Sequence, residues 1–184
     1  MQEDPRITAT RQWVDDVVIS HNFCPFAQFV RSPETIRYAV LEATAPKAVV
    51  KALEQECLTL ESEAAISTTL VILARGYEDF FDYLALLDKA NDMLDKTGYR
   101  GQFQLASFHP DYVFEGEAED SPSHYTNRSP LPLFHLIREN DIERALSDYD
   151  DPESIPVNNI ELTEQKGCAH FAQILERCKH TLKS

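Results

Sequence analysis

From Thr69 to Ala74 the chain reads Thr-Leu-Val-Ile-Leu-Ala, with no polar residue after the first. A strand that faced water on one side would alternate, so this run predicts a central strand covered on both faces. Three further strand-length runs are present: Ile36–Leu41, Phe103–Phe108 and Leu133–Ile137, each rich in branched or aromatic residues. Between the first three lie helical patterns. One starts at Pro46 and carries Val49, Val50, Leu53, Cys57 and Leu60; the other carries Phe80, Leu84, Leu87 and Leu94 and stops at Gly98. The pattern predicts an α/β fold, a two-layer or three-layer sandwich around a mixed sheet of about four strands. Its two strand–helix–strand units predict parallel neighbours.

Helices are expected at both ends. Thr8–Ser20 sets Trp13, Val14, Val17 and Val18 on one stripe, and Cys168–Leu182 does so with Phe171, Ile174, Leu175 and Cys178. A short helix is expected over Asp141–Leu146, the acidic segment Asp148–Glu153 reads as solvated, and Val157–Gly167 has no decisive period. A chain of 184 residues is the length of one domain, so residues 1–184 are read as a single α/β unit.

The formal net charge of −14 argues against a nucleic-acid partner, because neutralising phosphates needs a basic footprint. An anionic membrane surface would repel it too, and neither a membrane-length apolar run nor the apolar core of a signal peptide is present. A cytoplasmic location is expected. Cys24, Cys57, Cys168 and Cys178 have irregular spacings without a CxxC pair, which fits reduced thiols rather than a disulfide framework. His21-x2-Cys24 and Cys168-x-His170 match no zinc pattern, and no glycine-rich phosphate loop occurs. No metal and no cofactor are expected.

The residues with chemical potential gather in and around the aperiodic connection at about 109–132. Loops of that length inside a compact domain are usually functional or disordered. Pro110 holds the preceding His109 extended at a strand end, where its ring is aimed by the sheet and can act as a base; the alternative is a histidine that pins the loop by hydrogen bonds. Cys24 precedes Pro25 at a helix start, where exposed amides favour a thiolate; the alternative is a small apolar residue between Phe23 and Phe26. In Thr126-Asn127-Arg128-Ser129-Pro130, the amide, hydroxyls and guanidinium suit a carboxylate or phosphate; the alternative is a clamp on the loop carboxylates Glu115, Glu117, Glu119 or Asp120. Arg138 can complete either arrangement. His124 and His135 are weaker candidates, the one in an acidic loop and the other alternating along a strand.

The motifs Asn22-Phe23-Cys24-Pro25-Phe26-Ala27, Ser107-Phe108-His109-Pro110-Asp111-Tyr112, Thr126-Asn127-Arg128-Ser129-Pro130 and His135-Leu136-Ile137-Arg138-Glu139 occur in this order after Trp13. On them the chain resembles an uncharacterised bacterial family, domain of unknown function 1415, from Trp13 to Gly167. The resemblance implies no activity. It places Cys24, His109, Tyr112, Asn127, Arg128 and Arg138 inside the family's characteristic motifs. His124 and Leu131 depart from the family pattern Asn-Tyr-Thr-Asn-Arg-Ser-Pro-Tyr-Pro, which weakens a catalytic role for His124. The functional expectation is an enzyme-like pocket. Cys24 would be its nucleophile or redox thiol, His109 the base and Arg128 the anion clamp, with Tyr112, Asn127, Ser129, His135 and Arg138 as further contacts to a small anionic metabolite. The alternatives are a non-catalytic small-ligand-binding or regulatory module, and a purely structural loop clamp.

Overall fold

The computed structural model describes residues 3–147, 149 and 151–183. Helix α1 (Pro5–Trp13) starts earlier than the apolar stripe suggested, because Asp4 caps it by accepting from the Arg6 amide and Pro5 takes the first helical position. The same helix then widens into a π-helical segment, Val14–Ile19, with Ser20 N–H bonding back to Asp15 C=O. Widening rotates the stripe so that Val14, Val17 and Val18 are all buried. Next come α2 (Pro25–Arg31), β1 (Ile36–Leu41), α3 (Pro46–Ser62), β2 (Thr68–Leu73), α4 (Phe80–Thr97) and β3 (Phe103–Phe108). After the long connection follow β4 (Leu133–Arg138), α5 (Glu139–Ser147), α6 (Ile155–Lys166) and α7 (Cys168–His180). Val157–Gly167, ambiguous in sequence, is thus mostly helix α6. The acidic segment expected over Asp148–Glu153 falls partly outside the described residues, at Asp148 and Asp150.

The four strands run in the order β1-β2-β4-β3. β1 and β2 are parallel neighbours joined by α3, as expected. The second expected parallel pair is not formed: β4 lies between β2 and β3, antiparallel to both. Burial explains the insertion. β4 buries Leu133, Phe134, Leu136 and Ile137, which point to both faces, so it needs a neighbour on each edge and a helix layer on each side. β3, which alternates, takes the edge.

Side chains leave the sheet into two cores. On one face Val71, Leu73, Phe103, Phe134 and Leu136 pack with α3 and α4. On the other, Ile36, Leu70, Leu133 and Ile137 pack with α1, the π segment, α2 and α7. The architecture is therefore three layers, α/β/α. The buried stripe of α4 is Tyr83, Leu86, Ala90, Met93 and Leu94, rotated from the expected Phe80, Leu84, Leu87 and Leu94. Tyr83 explains the rotation: its hydroxyl donates to Leu133 C=O at 2.8 Å and accepts from Phe108 N–H at 3.0 Å, tying the end of β3 to the start of β4. Among the described residues, no helix is long and apolar enough to cross a membrane.

Candidate functional site

The carboxyl ends of β1, β2 and β3 share one end of the sheet, and the connection from β3 to β4 folds over it. It is ordered by side chains that reach its own backbone. His109, fully buried, donates from Nε2 to Tyr77 C=O at 3.0 Å and accepts the Asp111 amide at Nδ1, also at 3.0 Å. Its backbone bonds to Asn127 and Ser129 across the loop. His124, in a 3₁₀ turn over Pro122–Thr126, repeats the arrangement: Nδ1 accepts the Phe114 amide at 3.2 Å and Nε2 donates to Ala118 C=O at 2.8 Å. It too is buried, and its setting in an acidic loop does not expose it.

Arg128 donates from Nε to Tyr112 C=O at 3.1 Å, and its guanidinium lies 4.8 Å from the Tyr125 ring centroid. Its own carbonyl accepts the Trp13 indole N–H at 2.9 Å. Among the described residues it forms no ion pair, so the carboxylates of the loop are not what holds it. Ser129 is buried and donates to Leu131 C=O at 2.7 Å; Tyr112 packs on Phe80 and Phe114. At the opposite end of β4, Arg138 donates to the carbonyls of Leu60 and Ile66 and Ser67, closing the C-terminal end of α3. His135 is turned to Thr68: the Thr68 hydroxyl donates to Leu136 C=O, so it accepts from Nε2 of the ring at 2.8 Å. Burial pushes the His135 pKa down to about 4.

Beside the folded loop is a cavity of about 520 Å³. Its apolar wall is Val18, Phe23, Phe108, Phe114, Pro156 and Ile160, contributed by the π segment, the turn after it, the end of β3, the loop and α6. Its polar wall is Cys24, Ser123, Thr126, Asn127 and Asn159, with the exposed Glu115 and Glu117 on the solvent side. Cys24 and Asn127 are thus the two expected site residues that the structure brings together. His109, Tyr112, Arg128, Ser129, His135 and Arg138 do not line the cavity.

Most hydrogen-bond donors of the wall are already used. Asn127 donates to Ser107 C=O at 3.0 Å, Asn159 to Phe23 C=O at 2.9 Å, the Thr126 hydroxyl to Ser123 C=O at 2.9 Å, and Ser123 pairs with Ser121. The groups left over are the second N–H of each amide, the Asn159 side-chain oxygen and the two carboxylates, beside the weakly donating Cys24 thiol.

Cys24 occupies the cap position of α2, as the sequence indicated. The expected depression of its pKa is reversed. Burial raises it above the ordinary thiol value, and the amides of Ala27 and Phe26 pull the other way without overcoming it. The group is a thiol at neutral pH. Burial likewise lowers the His109 pKa, against smaller opposing contributions led by the Tyr77 carbonyl. Sequence reasoning missed Asn159 and Ile160, which came from the segment with no decisive period. It also missed Phe114, whose place follows from the His124 tie. Among the described residues, no group of three His, Cys, Asp or Glu side chains is arranged to hold a metal ion.

No curated protein and no solved structure is significantly similar to this chain. A family profile, that of the proteins of unknown function designated DUF1415, matches residues 5–173 and so spans the sheet, the folded loop and the cavity wall. The chain belongs to the DUF1415 family.

Proposed function

We propose that the protein is a binding module for a small organic cation, an apolar body carrying an amine, held in the cavity without covalent chemistry. The observation that carries this reading is the polarity of the wall. The charged groups at the wall are the carboxylates Glu115 and Glu117, and the Asn159 side-chain oxygen also accepts, whereas one N–H of each amide and the Ser123 and Thr126 hydroxyls are already engaged within the protein. An ammonium group satisfies acceptors and carboxylates together, and aromatic rings such as Phe114 and Phe108 favour a cation close by. An anion meets the opposite field, since among the described residues no Lys or Arg lines the cavity and Glu115 and Glu117 stand beside it. The volume suits a ligand of metabolite size. A nucleophilic role for Cys24 finds little support, because the thiol is protonated and neither His109 nor Arg128 shares its cavity.

Thermal denaturation with matched probes tests the reading. 2-Phenylethylamine is expected to raise Tm in a concentration-dependent way, whereas phenylacetate, of nearly the same shape and opposite charge, is not. A ligand at a hundred times its Kd would add about 2.7 kcal/mol to stability. Replacing both carboxylates, Glu115→Gln with Glu117→Gln, should weaken the amine several-fold. Equal stabilisation by phenylacetate would sink the proposal.

A further inference from the structure

His21 follows the π segment, and His170 lies in the first turn of α7, yet their Nε2 atoms stand 2.9 Å apart. The tautomers follow from the partners. His21 Nδ1 is 2.9 Å from Val17 C=O, which can only accept, so Nδ1 carries the proton and Nε2 presents a lone pair. His170 must therefore donate its Nε2–H to His21. Both rings pack against Phe171, at 4.9 Å between centroids in each case, and His21 stacks at 5.5 Å on Phe23, a residue of the cavity wall.

We propose that this pair is a proton-operated latch, which holds the α6–α7 hairpin and with it the α6 wall of the cavity, and which a second proton releases. The mechanism lies in the proton count. With no added proton the contact is N–H···N. One added proton, taken at the other nitrogen of His170, leaves it a charge-assisted bond, N–H⁺···N. A second must sit on His21 Nε2, which puts two N–H groups and two positive charges face to face at a distance where neither can accept.

The surroundings do not relieve that repulsion. Lys166, at the end of α6, acts on His21 in the same sense as His170. The carboxylates of the π segment are engaged elsewhere: Asp15 accepts from Nε and Nη2 of Arg31 at 2.8 and 2.9 Å, and Asp16 accepts from Gln12 at 3.3 Å. From the loop side come the Tyr125 ring, stacked on Phe171, and the Asp120 carbonyl, which accepts from the Cys168 thiol at 3.3 Å. Burial is the chief cause that lowers the His21 pKa, with the Val17 carbonyl opposing it.

Helix α6 is joined to α7 through Gly167 alone and supplies Pro156, Asn159 and Ile160 to the cavity. It is held as well by the Asn159 bond to Phe23 C=O, by Leu162 against the core around Trp13 and Val17, and by packing on the 3₁₀ turn Pro122–Thr126. Releasing His170 from His21 removes one of the ties of this wall and places two like charges at its base. The link to ligand rests on the binding reading above; the latch itself does not.

The test uses the ligand-free protein first. NMR titration of the two imidazoles is expected to give two separated steps shared by both rings. Amide exchange over Ile155–Lys166, corrected for intrinsic pH dependence, should rise about tenfold across the lower step. His170→Gln, whose side-chain N–H can still donate to His21, should remove the upper step and keep the hairpin closed at neutral pH. Two independent titrations with ordinary values, or unchanged exchange across the lower step, would overturn the latch in the wild-type protein whatever the variant does. 2-Phenylethylamine binding is then compared at the two ends of the titration. A working latch with no amine binding at either pH refutes the binding reading alone, and amine binding without the exchange change refutes the latch alone.

Discussion

His109 and His124 have the same polarity: Nδ1 takes a backbone amide and Nε2–H goes to a carbonyl, which for His124 is shared with the Ser121 amide. At His109 the imidazole bridges two backbone groups, the Tyr77 carbonyl and the Asp111 amide, that the loop would otherwise bury unpaired. His109→Ala is accordingly expected to cost roughly 2–4 kcal/mol in chemical denaturation, the sum of an orphaned amide, an orphaned carbonyl and a small void. A His109→Ala protein of full stability would return the ring to the list of candidate bases. His135 gives a pH signature instead. Its folded pKa of about 4 lies below the ordinary histidine value, so the unfolded chain binds the extra proton first. Stability is complete above pH 6.5 and is lost as pH falls towards 4, by roughly 3 kcal/mol over that window. In His135→Phe this part of the pH dependence should vanish from denaturation curves, since Thr68 still has the Leu136 carbonyl to donate to. The sequence showed where His109 would be, because Pro110 fixes its backbone. It did not show what the ring would meet, because Tyr77 is 32 positions upstream and joins it only once α4 has packed on the sheet.

At the level of elements, what decides the topology is which strand can be buried twice. Leu-Phe-His-Leu-Ile in β4 has nearly the unbroken character of β2, whereas Phe-Gln-Leu-Ala-Ser-Phe in β3 alternates, and the order β2-β4-β3 follows from that contrast. The four strands were legible from composition and length, but the second parallel pair was an inference from chain order, which the long connection leaves free. The π segment was not legible for a different reason: its sequence is an ordinary amphipathic helix, and the widening answers to tertiary packing of Trp13, Val17 and Val18. Arg138 is the clearest case of a residue whose part belongs to an element. It supplies donors to the last carbonyls of α3 and to the turn after it, and pairs with Asp141 at 3.5 Å. Arg138→Ala should lower stability by about 2–3 kcal/mol, and Arg138→Lys should recover little of it, because an ammonium cannot present the planar fork. Recovery by lysine in thermal denaturation would mean that charge opposite Asp141 matters more than the capped carbonyls.

Across the whole molecule, the cavity is made by four separate stretches of chain, and no spacing in the sequence relates Cys24 to Asn127 or to Asn159. The loop motif and the Cys24 motif could be recognised apart; the fold decides that they share a wall, and that His109 and Arg128 turn away from it. This gives a test that reports on the assembled cavity. Cys57 and Cys178 are buried, so in a Cys168→Ser background Cys24 is the thiol open to a small alkylating reagent. Because burial outweighs the helix amides, its alkylation at pH 7 should be slower than that of free cysteine and should rise with pH beyond the range where free cysteine has levelled off. An amine seated in the cavity covers the sulfur, so 2-phenylethylamine should slow the reaction further while phenylacetate leaves it unchanged. Cys24→Ser should keep amine binding within about twofold, since the hydroxyl fills nearly the same space and the ligand's partners are the acceptors beside it. A Cys24 that reacts faster than free cysteine would mean that the helix amides prevail over burial, and would restore the nucleophile.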